Sequence, residues 1–157
     1  MIVADAGVVV EAVLFSGAVG PLARRRLAHD RVHAPELIDL EVVSTLRRLV
    51  RRSELTAEQA AYALNDLRRA SITRHSHRQF LPRIWELRDS ISAYDAAYVA
   101  IAERADATLL TLDQRLAEAS STSPVPSAGS VALQGKSPTT AAVPHEAAEG
   151  FPGAASE

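Results

Sequence analysis

Hydrophobic and polar positions change period several times along the chain, and each change marks an element. Residues 2–4 are an unbroken apolar run that predicts a buried strand ending at Asp5, and residues 6–14 take up a helical period after a tight turn at Gly7. Gly17, Gly20 and Pro21 interrupt that period. Pro21 suits the first turn of a helix continuing to about His29. Residues 31–34 predict a second strand, closed by Pro35. A long helix over 36–52 follows, its apolar stripe made of Ile38, Val42, Val43, Leu46, Leu49 and Val50. Glu41 falls at the border of that stripe. Thr56 and Gln59 have the spacing of a capping box opening a helix that reaches Arg69. Residues 71–74 predict a third strand, and 77–89 a helix with Phe80, Ile84, Trp85 and Leu87 apolar and Pro82 tolerated in its first turns. Tyr62, Phe80 and Trp85 sit at helical spacing and are expected in the core, not as base-stacking platforms.

The clearest pattern runs over residues 91–113, ISAYDAAYVAIAERADATLLTLD. Ser92 predicts a helix N-cap, and Asp95, Tyr98, Val99 and Ala102 then share one face of a helix reaching about Arg104. Residues 107–111 read as a strand buried on both faces, stopping at Leu112-Asp113. Strands and helices thus alternate throughout, which predicts an α/β fold: a parallel sheet of four to five strands with helices on both faces. Parallel strands share a C-terminal side, so Asp5 and Asp113 open at the same edge.

Composition divides the chain. From 120 to 157, 27 of 38 residues are Ala, Ser, Pro, Gly or Thr. Such a segment buries too little apolar surface to offset its ordering entropy, so residues 1–119 are expected to form the one folded domain and 120–157 a disordered, low-complexity tail. Within the tail only 130–133 (SVAL) is a candidate last strand. There is no cysteine, which excludes disulfides and thiolate metal sites. Asp5 and Glu11 interrupt the apolar N-terminus and no basic residue precedes it, so neither a signal peptide nor a spanning helix is expected, and the protein is expected in the cytoplasm with no membrane partner. The formal net charge is −2, yet residues 1–119 balance 16 Arg against 16 acids. Many Arg are adjacent, as at 24–26, 47–48, 51–52 and 68–69; they suit bidentate phosphate contacts or solvated helix faces. His75 and His77 are expected at the surface, not as a metal pair.

Four carboxylates stand out: Asp5, Glu41, Asp95 and Asp113. Crowded together they would resist joint ionisation, and a divalent cation removes that conflict. Hard oxygen ligands select Mg²⁺, with Mn²⁺ as the alternative. The chemistry that needs such a cluster is metal-assisted attack of water on a phosphodiester. Each acid also has a structural explanation. Asp5 and Asp113 can cap the helices after them, Asp95 can reciprocate Ser92 in a capping box, and Glu41 can simply be solvated.

The sequence resembles PIN-domain proteins, and specifically the VapC-type toxins of toxin–antitoxin pairs. The likeness lies in Ile2-Val3-Ala4-Asp5-Ala6-Gly7; in Pro35-Glu36-Leu37 through Glu41-Val42 to Leu46-Arg47; in Ser92-Ala93-Tyr94-Asp95-Ala96-Ala97-Tyr98 with Ala100 and Ala102; and in Leu110-Thr111-Leu112-Asp113 with Arg115-Leu116. It covers residues 1 to about 118. Gly7 departs from it, since the family often has Ser or Thr there. The resemblance implies a PIN-like three-layer sandwich in which Asp5, Glu41, Asp95 and Asp113 form the acidic metal site. It also implies Mg²⁺-dependent RNA cleavage, a homodimer, and a cognate antitoxin whose C-terminal segment occupies the acidic groove. Alternatives are a DNA-directed metal-dependent nuclease, since groove contacts alone distinguish the two nucleic acids, and a catalytically silent nucleic-acid or protein-binding domain. A phosphoacceptor module would want a lysine near its site, and the chain's one lysine is Lys136 in the tail.

Overall fold

The computed structural model describes residues 1–14 and 17–120, and the backbone of 121 and 130–132. Among the described residues the sheet has five strands, β1 (Ile2–Ala4), β2 (Val32–Pro35), β3 (Ile72–His75), β4 (Thr108–Thr111) and β5 (Ser130–Ala132). They are all parallel and lie in the order β3-β2-β1-β4-β5. The central strand β1 is buried on both faces, as its three apolar residues require. The chain winds outward from β1 to β2 and β3, then crosses back to β4 on the other side of β1. The direction of winding therefore reverses between β1 and β4.

The helices are α1 (Ala6–Leu14), α2 (Val19–His29), α3 (Ile38–Arg51), α4 (Ala57–Arg69), α5 (Leu81–Glu86), α6 (Ala93–Ala105) and α7 (Gln114–Ser121). Helix α1 packs with α2, α3 and α4, while α6 lies on β1, β2 and β4 and against α5. Helices thus cover both faces, giving the α/β sandwich. Helix α4 opens with the capping box read from the sequence, Thr56 Oγ1 accepting from Gln59 N at 3.1 Å and Gln59 Oε1 from Thr56 N at 2.9 Å. Its contribution is about 1 kcal/mol.

Several sequence expectations change in the structure. No turn separates β1 from α1: the helix runs through Gly7, because Asp5 Oδ1 caps it by accepting from Val8 N at 2.8 Å. Pro35 belongs to β2 instead of closing it, since pairing with β1 reaches only His33 and no bond is forfeited there by the missing N–H. The helix expected over 77–89 is a single 3₁₀ turn, His77–Phe80, followed by α5. Pro82 cannot donate and crowds the preceding turn, so a helix restarts at it. Helix α6 has no polar face over Ala96 to Ala102, all seven residues being buried. The alanines let it approach the sheet closely while α5 covers its other side.

Phe80 is buried as expected, but Tyr62 and Trp85 are not: they are 60% and 68% exposed. Ala63 and Leu67 take the inward positions of α4, and Ile84 that of α5, which turns the neighbouring aromatics out. The tail reading falls mainly on 122–129 and 133–157, which lie outside the described residues. Among the described residues no single helix is long and apolar enough to cross a membrane.

Candidate active site

The reversal between β1 and β4 opens a crevice at the C-terminal edge of the sheet, the place where open α/β sheets build sites. Asp5 follows β1 and Asp113 follows β4, with Asp5 N donating to Leu110 O at 3.1 Å across the strand pair. Glu41 enters from the first turn of α3 and Asp95 from that of α6. The four acids chosen from the sequence are near enough for their charges to interact: Asp5 with Asp113, and Glu41 with Asp95 and Asp5.

Two of them are held from afar. Asp5 is buried, and its Oδ2 accepts a short hydrogen bond from the hydroxyl of Thr111, itself fully buried. The same Thr111 Oγ1 accepts from Asp113 N at 2.9 Å, so one hydroxyl ties two acids together. Glu41 is half-buried, and its Oε2 accepts from the Tyr98 phenol at 2.5 Å. Burial pushes the Asp5 carboxyl above its usual range, opposed by its hydrogen bonds from Thr111 and Val8 and reinforced by the Asp113 charge. Burial likewise raises Glu41, with the Tyr98 bond opposing and the Asp95 and Asp5 charges adding to the rise. The Tyr98 phenol is raised in turn, by burial first and then by Glu41.

The other two are held locally. Ser92 Oγ accepts from Asp95 N at 3.1 Å and donates to Asp95 Oδ2 at 2.8 Å. The Asp95 carboxylate thus engages the serine hydroxyl, not the Ser92 backbone that a reciprocal capping box would use. Asp113 Oδ1 caps α7 by accepting from Arg115 N at 2.8 Å. Both acids line an open groove of about 730 Å³, together with Ser92, Arg88, Arg115 and Glu118.

Among the described residues no three His, Asp or Glu side chains converge into a ready-made metal cage. The like charges stand apart, each carboxylate engaged by its own donor. The donor set nevertheless suits a hard divalent cation. It is all oxygen, it lacks thiolates, and the Asp5 and Glu41 carboxyls, raised first by burial and further by neighbouring acid charges, are ones whose ionised form a cation would favour.

Thr111 and Tyr98 stood inside motifs already noted, but spacing gave neither a role. The groove's arginines, Arg88 and Arg115, lie outside the adjacent Arg runs of the sequence. Of those runs, Arg24 pairs with Asp66 and Arg26 with Asp30, while Arg47, Arg48, Arg51 and Arg52 are exposed near the end of α3. His77 is exposed as expected. His75 instead stacks on His33 of the adjacent strand, with Nε2 2.7 Å from His33 Nδ1. Of these two rings one donates and the other accepts, and burial followed by the His75 charge lowers the His33 pKa.

Residues 2–121 match the PIN domain family model. The chain is 43% identical over 118 residues to VapC ribonuclease Mb0985 of Mycobacterium bovis, covering 75% of this chain and 90% of that protein. It has the same identity and coverage with ribonuclease VapC9 of Mycobacterium tuberculosis. Ribonuclease VapC3 of the same organism is 39% identical, covering 75% of this chain and 86% of its own.

Proposed function

The chain belongs to the PIN-domain family, among the VapC ribonucleases, and from that premise we propose that it is a metal-dependent endoribonuclease acting as the toxin of a toxin–antitoxin pair. The observation that supports this reading is that Asp5, Glu41, Asp95 and Asp113 stand around the crevice between β1 and β4 with charges that interact from neighbour to neighbour, beside a groove that also holds Arg88 and Arg115. Taken one at a time the acids have structural uses; a helix cap does not need another carboxylate within reach of its charge.

In this reading Asp5, Asp95 and Asp113 hold Mg²⁺, with Mn²⁺ as a substitute, and Glu41 holds the ion or orients a water beside it. When bound, the cation neutralises the carboxylates, lowers the pKa of a bound water and stabilises charge on the phosphate. The reaction joins a water oxygen to phosphorus and breaks the bond from phosphorus to the leaving ribose oxygen. The protein's own residues supply position. Tyr98 fixes the Glu41 carboxylate, Thr111 fixes Asp5 against the Asp113 backbone, and Arg88 and Arg115 offer charge to neighbouring phosphates, so binding weakens with added salt. The family reading further gives a homodimer, an antitoxin whose C-terminal segment lies in the acidic groove, and a cytoplasmic location.

The test is incubation of the purified chain with structured RNAs and matched DNAs in Mg²⁺, Mn²⁺ or EDTA, beside Asp95→Asn. Metal-dependent RNA cuts that vanish in the variant support the reading. Cuts that persist in the variant or in EDTA refute the assignment, and cleavage confined to DNA replaces the substrate.

A further inference from the structure

Trp85 is the only tryptophan in the chain, and it is 68% exposed. An indole left in water at that extent is a surface feature to explain, because most of its area would gain from burial. Its surroundings are well defined. Helix α5 is clamped to α6 by Arg83, whose Nε and Nη2 donate to the two carboxylate oxygens of Glu103 at 2.8 and 2.9 Å, and Ile84 anchors the inner side. Arg88 then folds back on the indole: its guanidinium carbon lies 5.0 Å from the ring centroid, Nη1 donates to Trp85 O at 3.0 Å, and Nη2 forms an exposed ion pair with Asp89 at 3.3 Å that a phosphate would have to displace or share. That arginine also lines the groove containing Asp95 and Asp113. The exposed ring is therefore continuous, through one side chain, with the candidate cleavage site.

We propose that Trp85 and Arg88 form a subsite that stacks an unpaired nucleobase of bound RNA at the mouth of the acidic groove. The inference rests on the ribonuclease reading and extends it to where the substrate is held. A flat aromatic ring with a guanidinium over one face matches a nucleotide in both its parts, the base stacking on the indole face away from Arg88 and the phosphate reaching the guanidinium. The base must be unpaired, because a duplex keeps its base faces stacked inside. Clamping of α5 means that little freedom is lost when the base arrives. Stacking on an indole accepts any base, so the subsite selects single-stranded RNA near the cut without fixing its sequence.

The single tryptophan makes the test direct. Full-length protein in EDTA is titrated with a short, labelled, single-stranded oligoribonucleotide of randomised sequence, reading indole fluorescence and label anisotropy together. Saturable quenching of Trp85 is expected at the concentrations that raise anisotropy. Trp85→Ala should bind about fivefold to a hundredfold more weakly, Trp85→Phe should keep most of the affinity, and an oligomer of abasic sites should give no quenching. Binding without quenching, or an unchanged affinity in Trp85→Ala while the wild type still cuts RNA, overturns the subsite alone. Lost binding that coincides with conversion of a dimer to a monomer by light scattering assigns Trp85 to self-association and also overturns it. Wild-type protein that neither binds nor cuts RNA overturns the ribonuclease reading, and the subsite with it.

Discussion

Asp5 and Glu41 differ from Asp95 and Asp113 in how the chain holds them. The inner pair is buried or half-buried and bonded to side chains 106 and 57 residues away, and burial raises both carboxyls. The outer pair lies on the groove, bonded to groups three and two residues away at helix starts. One wall of the site is thus held by long-range side-chain bonds, Asp5 also capping α1 through Val8 N, while the other is held by bonds local to helix starts and is open to solvent. On the ribonuclease reading, a site divided in this way combines rigidity toward a cation with access for a large substrate.

The strongest challenge to this division is Asp95→Asn. Its amide oxygen can still accept from the Ser92 hydroxyl, so melting should move little, while RNA cleavage should fall by more than about a hundredfold if the carboxylate ligates a cation. An active variant would reduce Asp95 to a cap. Next comes Tyr98→Phe, which keeps the buried ring and removes only the bond to Glu41. Mn²⁺ binding by calorimetry should weaken about tenfold to a hundredfold, since outer partners of ligands have effects of that size. Unchanged binding would mean that the inner wall does not need its distant partner.

Thr111→Val should destabilise by about 1–3 kcal/mol in urea unfolding, because Asp5 and the Asp113 N–H both lose their partner inside the protein. Ser92→Ala, on the outer wall, should cost about 1 kcal/mol. Equal losses would erase the contrast. The smallest effect is one of sign. A carboxyl whose folded pKa is raised binds more protons folded than unfolded, so its contribution is intact below the ordinary value of 4.5 and is lost as pH rises through the folded value. Glu41→Gln should therefore raise the melting temperature at neutral pH without metal, and the gain should shrink as pH falls through that window.

Much of this was legible because it is local. The apolar runs of β1 and β4, the Thr56–Gln59 box and the Ser92 cap follow from period and spacing, and alternation of the elements placed Asp5 and Asp113 at one edge. Periodicity failed where neighbours in space set burial. Helix α6 reads as one-faced but is buried all round over seven residues, and Trp85 reads as core but lies outside because Ile84 alone faces inward on a short helix.

By itself, then, the sequence determined most of the elements, their alternation, and the caps that Asp5 and Asp113 give to the helices after them, because dihedral preferences and bonds spanning two or three residues act before any packing. Tertiary structure alone decided that Thr111 would reach Asp5, that Tyr98 would reach Glu41, and that His75 would stack on His33 of the neighbouring strand, 42 residues away, instead of standing free at the surface. Each of those contacts depends on the strand order β3-β2-β1-β4-β5 and on which helix lies over which strand. Strand order arises from closing long loops around one shared core, and no local period encodes it.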